Sequence, residues 1–272
     1  MDITTLCSKI NLQPEIKTRV IACEESFDFK TVDKQLRNFA VYENMGKART
    51  ELKEILGEDS DNIKMLTCML KASVTVYETY KRKGISDEIY FATMKCYSRF
   101  IDETYRRTGR YYFDRDWWTT RQAGWHLFRI DELEYEIVRD ENEITIEIHI
   151  PSDADFSPSA VEQSLNSAKR FFSQYYPETE GADYCCESWL LDRQLRGMVR
   201  ENANIVSFQN RFEIFDEGET RTDFIEWVFR RNSTDTDYAK FPENTSLQRE
   251  LKRHLLAGGA IRNAHGKILR DG

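Results

Sequence analysis

The first 110 residues repeat the hydrophobic spacing of three to four residues that amphipathic helices show. The clearest helix is predicted over residues 61–83, where a basic run and Gly84 mark its end. Its apolar face consists of Ile63, Leu66, Leu70, Val74 and Tyr77. Ser86 is the expected N-cap of a second long helix that runs to Thr108 and stops at Gly109. Shorter helices are predicted over residues 14–25, 31–41 and 44–56. Residues 1–110 are therefore expected to form an irregular helical domain.

After Gly109 the pattern changes to the alternation of apolar and polar residues that is typical of strands. Residues 133–137 and 144–150 alternate in this way, and a polar turn at 139–142 separates them. This predicts a β-hairpin with one apolar face, which includes Ile148, and one polar face, which includes His149. A helix is expected from Ser157, as N-cap, with Pro158 as its first residue, to about residue 175.

The remaining sequence predicts further short elements. Strands are expected over residues 184–191, 208–215 and 224–229, and a short helix over 192–199. Thr245 and Gln248 form a T-x-x-Q capping box at the start of the last helix. That helix ends at Gly258–Gly259, after which we expect a flexible tail. The fold class is α+β, with a helical domain over residues 1–110 and a mixed, mainly antiparallel sheet with flanking helices over 111–272.

Composition and charge exclude several classes of protein. The net charge is −8, and residues 111–272 carry the acidic excess, with 20 basic against 30 acidic side chains. This acidity argues against nucleic acid as a partner. We see neither a secretory signal nor an apolar run long enough for a membrane span, so we expect a cytoplasmic protein without a membrane partner. The six cysteines show no C-x-x-C spacing and are expected to be reduced thiols.

The order of elements after residue 110 resembles the GNAT acyltransferase fold. Sequence similarity extends further, through GRYYFDRDWWTTRQAGWHLFRIDELEYEI, IHIPSDADFSP, CESWLL, FQNRFEIFD and NTSLQRELKRHLLAGG. These stretches resemble a bacterial family of acyltransferase domain-containing proteins, which join a helical N-acyltransferase N-terminal domain to a GNAT-like C-terminal domain. The resemblance implies transfer of an acyl group from acyl-CoA or acetyl-CoA to a small-molecule amine acceptor, by direct attack and without a metal.

One loop departs from the usual GNAT pattern. GNAT enzymes hold the CoA pyrophosphate on the backbone N–H groups of a glycine-rich loop between a strand and its following helix. Residues 151–158 occupy that position here, but they contain no glycine and include two aspartates. If CoA binds, it must find other donors, and the candidates are Ser152, Ser157 and Ser159 together with the N–H groups of the first helical turn.

The candidate catalytic residues lie on the second strand of the hairpin and on the strand after the helix. His149, or Glu147 through a water molecule, is the candidate base that deprotonates the acceptor ammonium. The resemblance implies an acid on the following strand that protonates the CoA thiolate, and Tyr184 or Cys186 is placed there by position. The alternative for His149 and Glu147 is an ordinary solvated face of an antiparallel sheet. Cys185 and Cys186 are expected to point to opposite faces of their strand.

Two further groups are candidates for substrate binding. Asp153 and Asp155 form a D-x-D pair that is a candidate to hold the acceptor ammonium. A second interpretation is that the pair binds a divalent metal and a nucleotide-sugar phosphate. The third is an acidic loop before a helix N-terminus, where carboxylates are favourable. Trp118 and Arg121 share a helix face and are candidates to stack on a ligand. The alternative is that this face packs between domains, with Arg121 tied to a carboxylate. Two other functions therefore stay open: a non-catalytic GNAT-like binding or interaction protein, and a metal-dependent glycosyltransferase that uses Asp153 and Asp155.

Overall fold

The computed structural model describes residues 1–140 and 143–269, which form two compact units. Of these residues, the first unit comprises 1–130 and 134–139, and the second comprises 131–133, 140 and 143–269. The α-helices of the first unit are α1 (Ile3–Lys9), α2 (Pro14–Ser26), α3 (Asp33–Asn38), α4 (Met45–Leu56), α5 (Ile63–Lys83), α6 (Asp87–Met94), α7 (Cys96–Thr108) and α8 (Asp116–Ala123). Those of the second are α9 (Pro158–Tyr175), α10 (Asn204–Gln209), α11 (Phe224–Phe229) and α12 (Ser246–Leu256). No helix in the described ranges is both long and apolar enough to span a membrane.

Helix α5 is the central element of the first unit, and the predicted end is confirmed because Gly84 adopts a left-handed φ of 74°. The predicted long helix from Ser86 to Thr108 is instead two helices, α6 and α7, which meet at Lys95. Helix α6 packs against the strand that contains Arg129, where the Arg129 N–H donates to Thr93 Oγ1 at 2.9 Å, two residues before the break. Sequence spacing cannot report such a tertiary contact.

The strands are β1 (Leu127–Ile130), β2 (Leu133–Arg139), β3 (Ile144–His149), β4 (Asp183–Ser188), β5 (Phe212–Asp216) and β6 (Ala264–Ile268). In the described residues they follow the order β1-β2-β3-β4-β6-β5 across a mixed sheet. Strands β3 and β4 are parallel, whereas β6 is antiparallel to both of its neighbours. The predicted α+β class with a mainly antiparallel sheet and flanking helices is confirmed. The predicted turn at 139–142 includes residues 141 and 142, which lie outside the described residues.

The polar face of β2 is not solvated. Glu134 and Glu136 are 2% and 3% exposed, respectively. The Arg99 Nη2 group of α7 donates to Glu134 Oε1 at 2.8 Å, and the Arg121 Nε group of α8 donates to Glu136 Oε2 at 2.9 Å. Buried carboxylates need such charged partners, because removal from water disfavours the ionised form. Alternation predicted the strand correctly, but helices of the same unit cover its polar side.

Three predictions for the second unit are wrong. Residues 224–229 form helix α11 rather than a strand, because Phe224, Ile225 and Phe229 are buried together in a helical apolar cluster. The strand predicted from residue 208 begins only at Phe212, because residues 208 and 209 still belong to helix α10. The expected flexible tail contains β6, which pairs with both β4 and β5. The capping box of Thr245 and Gln248 is confirmed at the start of α12.

Candidate active site

Strands β3 and β4 separate before either of them ends. Their ladder consists of the pairs Thr145↔Asp183, Ile146↔Tyr184 and Glu147↔Cys185, although β3 continues to His149 and β4 to Ser188. Beyond Cys185, strand β4 keeps its pairing with β6 on the other side. A split between two parallel strands opens a cleft at their carboxyl ends, which is where open sheets with helical crossovers bind ligands. The ends of β3 and β4 therefore form the candidate site.

One face of this split is polar and partly exposed. Glu147 and His149 lie on it from β3, and Cys185 and Glu187 lie on it from β4, because paired residues of neighbouring strands share a face. Glu147 and His149 are both half-buried. Burial raises the pKa of Cys185 to about 11, and the nearby Glu147 carboxylate contributes to that rise. The structure thus brings the two candidate bases onto one arm of the split, on the face that strand alternation predicts.

The two candidate acids, Tyr184 and Cys186, lie on the opposite face. Tyr184 pairs with Ile146 and contacts Phe172 of α9, with ring centroids 6.2 Å apart. Burial raises the pKa of Tyr184 to about 12 and raises that of Cys186 well above its usual range, so both groups are protonated at neutral pH. Cys186 is only 1% exposed, whereas Tyr184 is half-buried. Candidate bases and acids are consequently separated by the thickness of the sheet.

The loop after β3 is held by hydrogen bonds of its own. The Ala154 N–H donates to the Pro151 carbonyl at 3.1 Å, the Asp155 N–H to Glu132 Oε2 at 2.8 Å, and the Ser157 N–H to Asp155 Oδ1 at 2.9 Å. Asp155 is therefore used to shape the turn that leads into α9. Exposed Ser152 and Asp153 lie at the tip of the same loop.

The N-terminus of α9 presents hydroxyl groups to solvent. Ser157 has the extended backbone of an N-cap, but its side chain makes no capping hydrogen bond, and Ser159 in the first turn is exposed. The first helical turn offers unpaired N–H groups and the positive end of an 18-residue helix dipole. This end of α9 is consequently a suitable environment for an anion.

Arg211 is a residue that the sequence analysis missed. Its Nη2 group donates to the Pro158 carbonyl at 2.9 Å, and its Nη1 group forms an ion pair with Glu162. The hydrogen bond from Arg211 lowers the pKa of Glu162. No local sequence signal indicates this placement, because Arg211 reaches α9 only through the packing of α10 against that helix. It places a cation beside the first turn of α9.

A metal site is not formed by the D-x-D pair in this structure. Asp155 is engaged with the Ser157 N–H, and the described residues contain no group of three His, Cys, Asp or Glu side chains that could hold a metal ion. All six cysteines are free thiols. The glycosyltransferase alternative thus has no structural support among the described residues.

The candidate residues Trp118 and Arg121 contact each other. The guanidinium carbon of Arg121 lies 4.5 Å from the centre of the Trp118 ring, and Arg121 also binds Glu136 and the Trp117 carbonyl. Helix α8 ends at Ala123, so Trp125 lies beyond the helix. Arg121 is therefore tied to a carboxylate of its own unit, and Trp118 lies over its guanidinium group. Packing of this helix face between domains stays a prediction.

The second unit also contains a cavity of about 530 Å³ between α11 and α12. Trp189, Trp227, Val228 and Phe229 form most of its apolar lining. Trp189 directly follows β4, and it belongs to the apolar cluster that also packs against Ile150 after β3. The cavity thus belongs to the part of the unit that lies beyond the carboxyl ends of both arms of the split.

The comparisons with known proteins agree with this architecture. Residues 106–268 match the family model described as the GNAT-like C-terminal domain. The chain belongs to the GNAT-like C-terminal domain family. Residues 1–124 match the model of the N-acyltransferase N-terminal domain, so this GNAT-like protein has the two-part organisation that the resemblance implied. No curated protein matches the chain.

Solved structures share the fold of this GNAT-like protein. A crystal structure of an acyltransferase in complex with decanoyl-CoA and teicoplanin superposes with a TM-score of 0.79 at 21% identity, over 97% of this chain and 87% of that one. A crystal structure of an acyltransferase mutant in complex with octanoyl-CoA gives a TM-score of 0.80 at 20% identity, over 98% and 87% of the two chains. At this level of identity the similarity establishes the fold alone.

Proposed function

We propose that this GNAT-like protein is an acyl-CoA-dependent acyltransferase that transfers an acyl group to an amine by direct attack. The observation that carries the proposal is the split of β3 and β4 after the pair Glu147↔Cys185, in a chain that belongs to a GNAT-like family. A split parallel pair can receive an extended thioester between its arms, with one substrate approaching from each face. Crystal structures of the same fold hold CoA, octanoyl-CoA or decanoyl-CoA, which supports this use of the split.

The donor is expected to approach from the face that α9 covers. Ser157, Ser159 and the N–H groups of the first turn of α9 would hold the pyrophosphate in place of a glycine-rich loop, with Arg211 supplying positive charge. The N–H group of Ser152 is the candidate donor to the thioester carbonyl. Tyr184 lies on this face and is the candidate that protonates the departing thiolate. Cys186 is the second candidate for that role.

The acceptor is expected to approach from the polar face. His149, or Glu147 through a water molecule, would take a proton from the amine as it attacks the carbonyl. The acidic loop residues Asp153 and Asp155 would attract a cationic acceptor. A solved structure of the same fold holds teicoplanin, which supports an acceptor larger than a simple alkyl amine.

The decisive experiment measures CoA release from acetyl-, octanoyl- and decanoyl-CoA with an amine panel of ethanolamine, benzylamine, glucosamine and teicoplanin. We expect amine-dependent release, an acylated product of the matching mass, and a loss of about 10²-fold or more in His149→Ala. Thr145→Ala on the same face is the matched control and should retain activity. Absence of CoA binding by calorimetry would contradict the proposal.

A non-catalytic GNAT-like binding protein is the second candidate, and the glycine-free loop at residues 151–158 favours it. This alternative predicts that CoA or an acyl-CoA raises the melting temperature while no amine in the panel is acylated. The two functions are therefore distinguished by turnover rather than by binding.

A further inference from the structure

Glu187 and His265 form a pair on the second arm of the split, and the proposed mechanism has not used them. The antiparallel register of β4 and β6 places His265 opposite Glu187, and the His265 Nε2 atom lies 3.9 Å from Glu187 Oε1. Both side chains are partly exposed, with 37% of the His265 side chain and 47% of the Glu187 side chain accessible to solvent. Glu187 is two residues beyond Cys185, just as His149 is two residues beyond Glu147. The two arms thus carry His149 and the Glu187–His265 pair at corresponding positions of the same polar face.

The surroundings of His265 restrict its ring. The ring of Phe215 on β5 lies 6.4 Å from it, and Gly218 approaches so closely that an added Cβ would be 3.3 Å from His265 Cδ2. Gly218 has a φ of 63°, and the same Cβ would lie 1.7 Å from the Asn263 carbonyl, so glycine is required there. With Nε2 directed to Glu187, the other ring nitrogen, Nδ1, is the one that remains for proton transfer.

Several other charged groups surround the pair, and four of them form two ion pairs. Lys267 on β6 pairs with Asp183 at 3.4 Å, and Glu217 pairs with Arg262 at 3.6 Å. Asp216 is the Cα partner of His265 on β5. Asp223, which precedes α11, has its pKa raised chiefly by burial, and the Glu187 charge contributes. Cys185 lies on the same face, two residues before Glu187 on β4.

Proton balance shows what a second acceptor of protons would contribute. An alkyl ammonium carries three N–H protons at neutral pH, and the amide product retains one. The first proton must leave before attack, because it frees the lone pair that forms the C–N bond. The second leaves the nitrogen as the C–S bond breaks, and the CoA thiolate takes up one proton. One proton is therefore released to solvent in each turnover, and a single histidine would have to transfer both.

We propose that His265, positioned by Glu187, accepts the first proton of the acceptor ammonium and releases it to water, while His149 accepts the second. Glu187 lies opposite His265 on β4, with its Oε1 atom 3.9 Å from His265 Nε2. Partial exposure of His265 suits release of the proton to solvent. His149 on the opposite arm then handles the proton that balances the departing thiolate. This inference rests on the proposed acyl transfer and assigns His265 as its further catalytic residue.

The test compares pH profiles of kcat/KM for wild type, His265→Asn, Glu187→Gln and His254→Asn, with decanoyl-CoA and the amine of the panel that wild type acylates fastest. We expect His265→Asn to lose about 10²-fold at pH 7 and to regain activity as the pH approaches the pKa of the amine, about 10 for an alkyl amine. Free amine is then abundant and needs no first base. Glu187→Gln should show a smaller loss that is likewise relieved at high pH. His254, on α12, is the matched control and should leave the profile unchanged.

The outcomes separate this inference from the proposed function. If wild type acylates an amine and His265→Asn retains both its kcat/KM and its pH profile, the role of His265 is wrong while the acyltransferase stands. A uniform loss at every pH, with unchanged KM for decanoyl-CoA, would also overturn it, because a structural role would not be relieved by high pH. If wild type acylates no amine at any pH, the proposed function itself fails. Circular dichroism and melting temperature verify that each variant is folded.

Discussion

Among individual residues, Ile148 and His149 point to opposite faces of β3, and this alternation predicts different energetic costs for their substitution. Ile148 is 0% exposed on the α9 side of the sheet, whereas His149 lies half-buried on the polar face. Ile148→Ala removes buried methyl and methylene groups and leaves a cavity, so it should cost about 2–5 kcal/mol of unfolding free energy. His149→Ala should cost within about 0.5 kcal/mol. Urea denaturation of both variants measures the difference, and equal losses would show that the strand register is wrong.

A second residue, His126, predicts how the stability of the first unit depends on pH. Burial lowers the pKa of His126, although its hydrogen bond to the Phe39 carbonyl at 2.9 Å acts in the opposite direction. The unfolded chain therefore takes up the proton first, near a pKa of about 6.5. The stability contributed by neutral His126 is present above that pH and is lost as the pH falls through it towards the lower pKa of the folded state.

We expect wild type to lose more unfolding free energy than His126→Gln between pH 7.5 and pH 5, by at most about 1.4 kcal/mol per pH unit below 6.5. Urea denaturation at several pH values measures this slope. The control is His254→Gln, which removes a more exposed imidazole and should keep the wild-type slope. Parallel slopes for wild type and His126→Gln would contradict the prediction.

Among the helices and strands, the N-terminus of α9 decides how this protein would hold a pyrophosphate. Asp153 and Asp155 oppose an anion at that end, and Arg211 favours it. The double substitution Asp153→Asn and Asp155→Asn should tighten CoA binding if both carboxylates face the cofactor. Arg211→Gln should weaken it several-fold.

Calorimetric titration with CoA measures both effects. Arg170→Gln, on the same helix but away from its first turn, is the control and should bind CoA as wild type does. If the double variant instead raises the KM of the acceptor and leaves CoA affinity unchanged, the aspartates hold the acceptor ammonium. Unchanged affinity in Arg211→Gln would remove this residue from the proposed cofactor site.

For the chain as a whole, the division into domains is a proposal that proteolysis tests. Composition places a boundary near residue 110, whereas the described residues up to 130 belong to the first compact unit. The connecting segment is well bonded, since the Phe113 N–H donates to the Asp61 carbonyl at 3.0 Å and Arg107 pairs with Asp114. Arg230, by contrast, is exposed at the end of α11, so we expect limited trypsin digestion to cleave there before it cleaves at residues 106–115.

Mass spectrometry of the first fragments distinguishes the two divisions. Initial cleavage at Arg110 or Arg115 would instead favour a loosely joined boundary at residue 110. Cleavage within α5 ahead of both sites would contradict either description, because α5 is the buried central helix of its unit.

Local rules determined much of this protein from sequence alone. Helices α2, α4, α5, α9 and α12 lie close to the predicted ranges, because their caps, their glycine ends and their apolar spacing act within a few residues of the chain. The α+β class and the two faces of β3 followed in the same way. The alternation of apolar and polar residues therefore placed His149 and Glu147 on the same face of β3, as the structure has them.

Only the tertiary structure decided the rest. Residues 224–229 have strand-like composition, yet they form α11 because a cluster of buried side chains stabilises the helix. Glu134 and Glu136 follow the alternation of a solvated strand, yet Arg99 and Arg121 from distant helices bury them. The pairing of β6 with β4 brings His265 opposite Glu187, although the two residues are far apart in the sequence. Such contacts depend on packing between distant segments, and no local pattern of hydrophobic and polar residues encodes them.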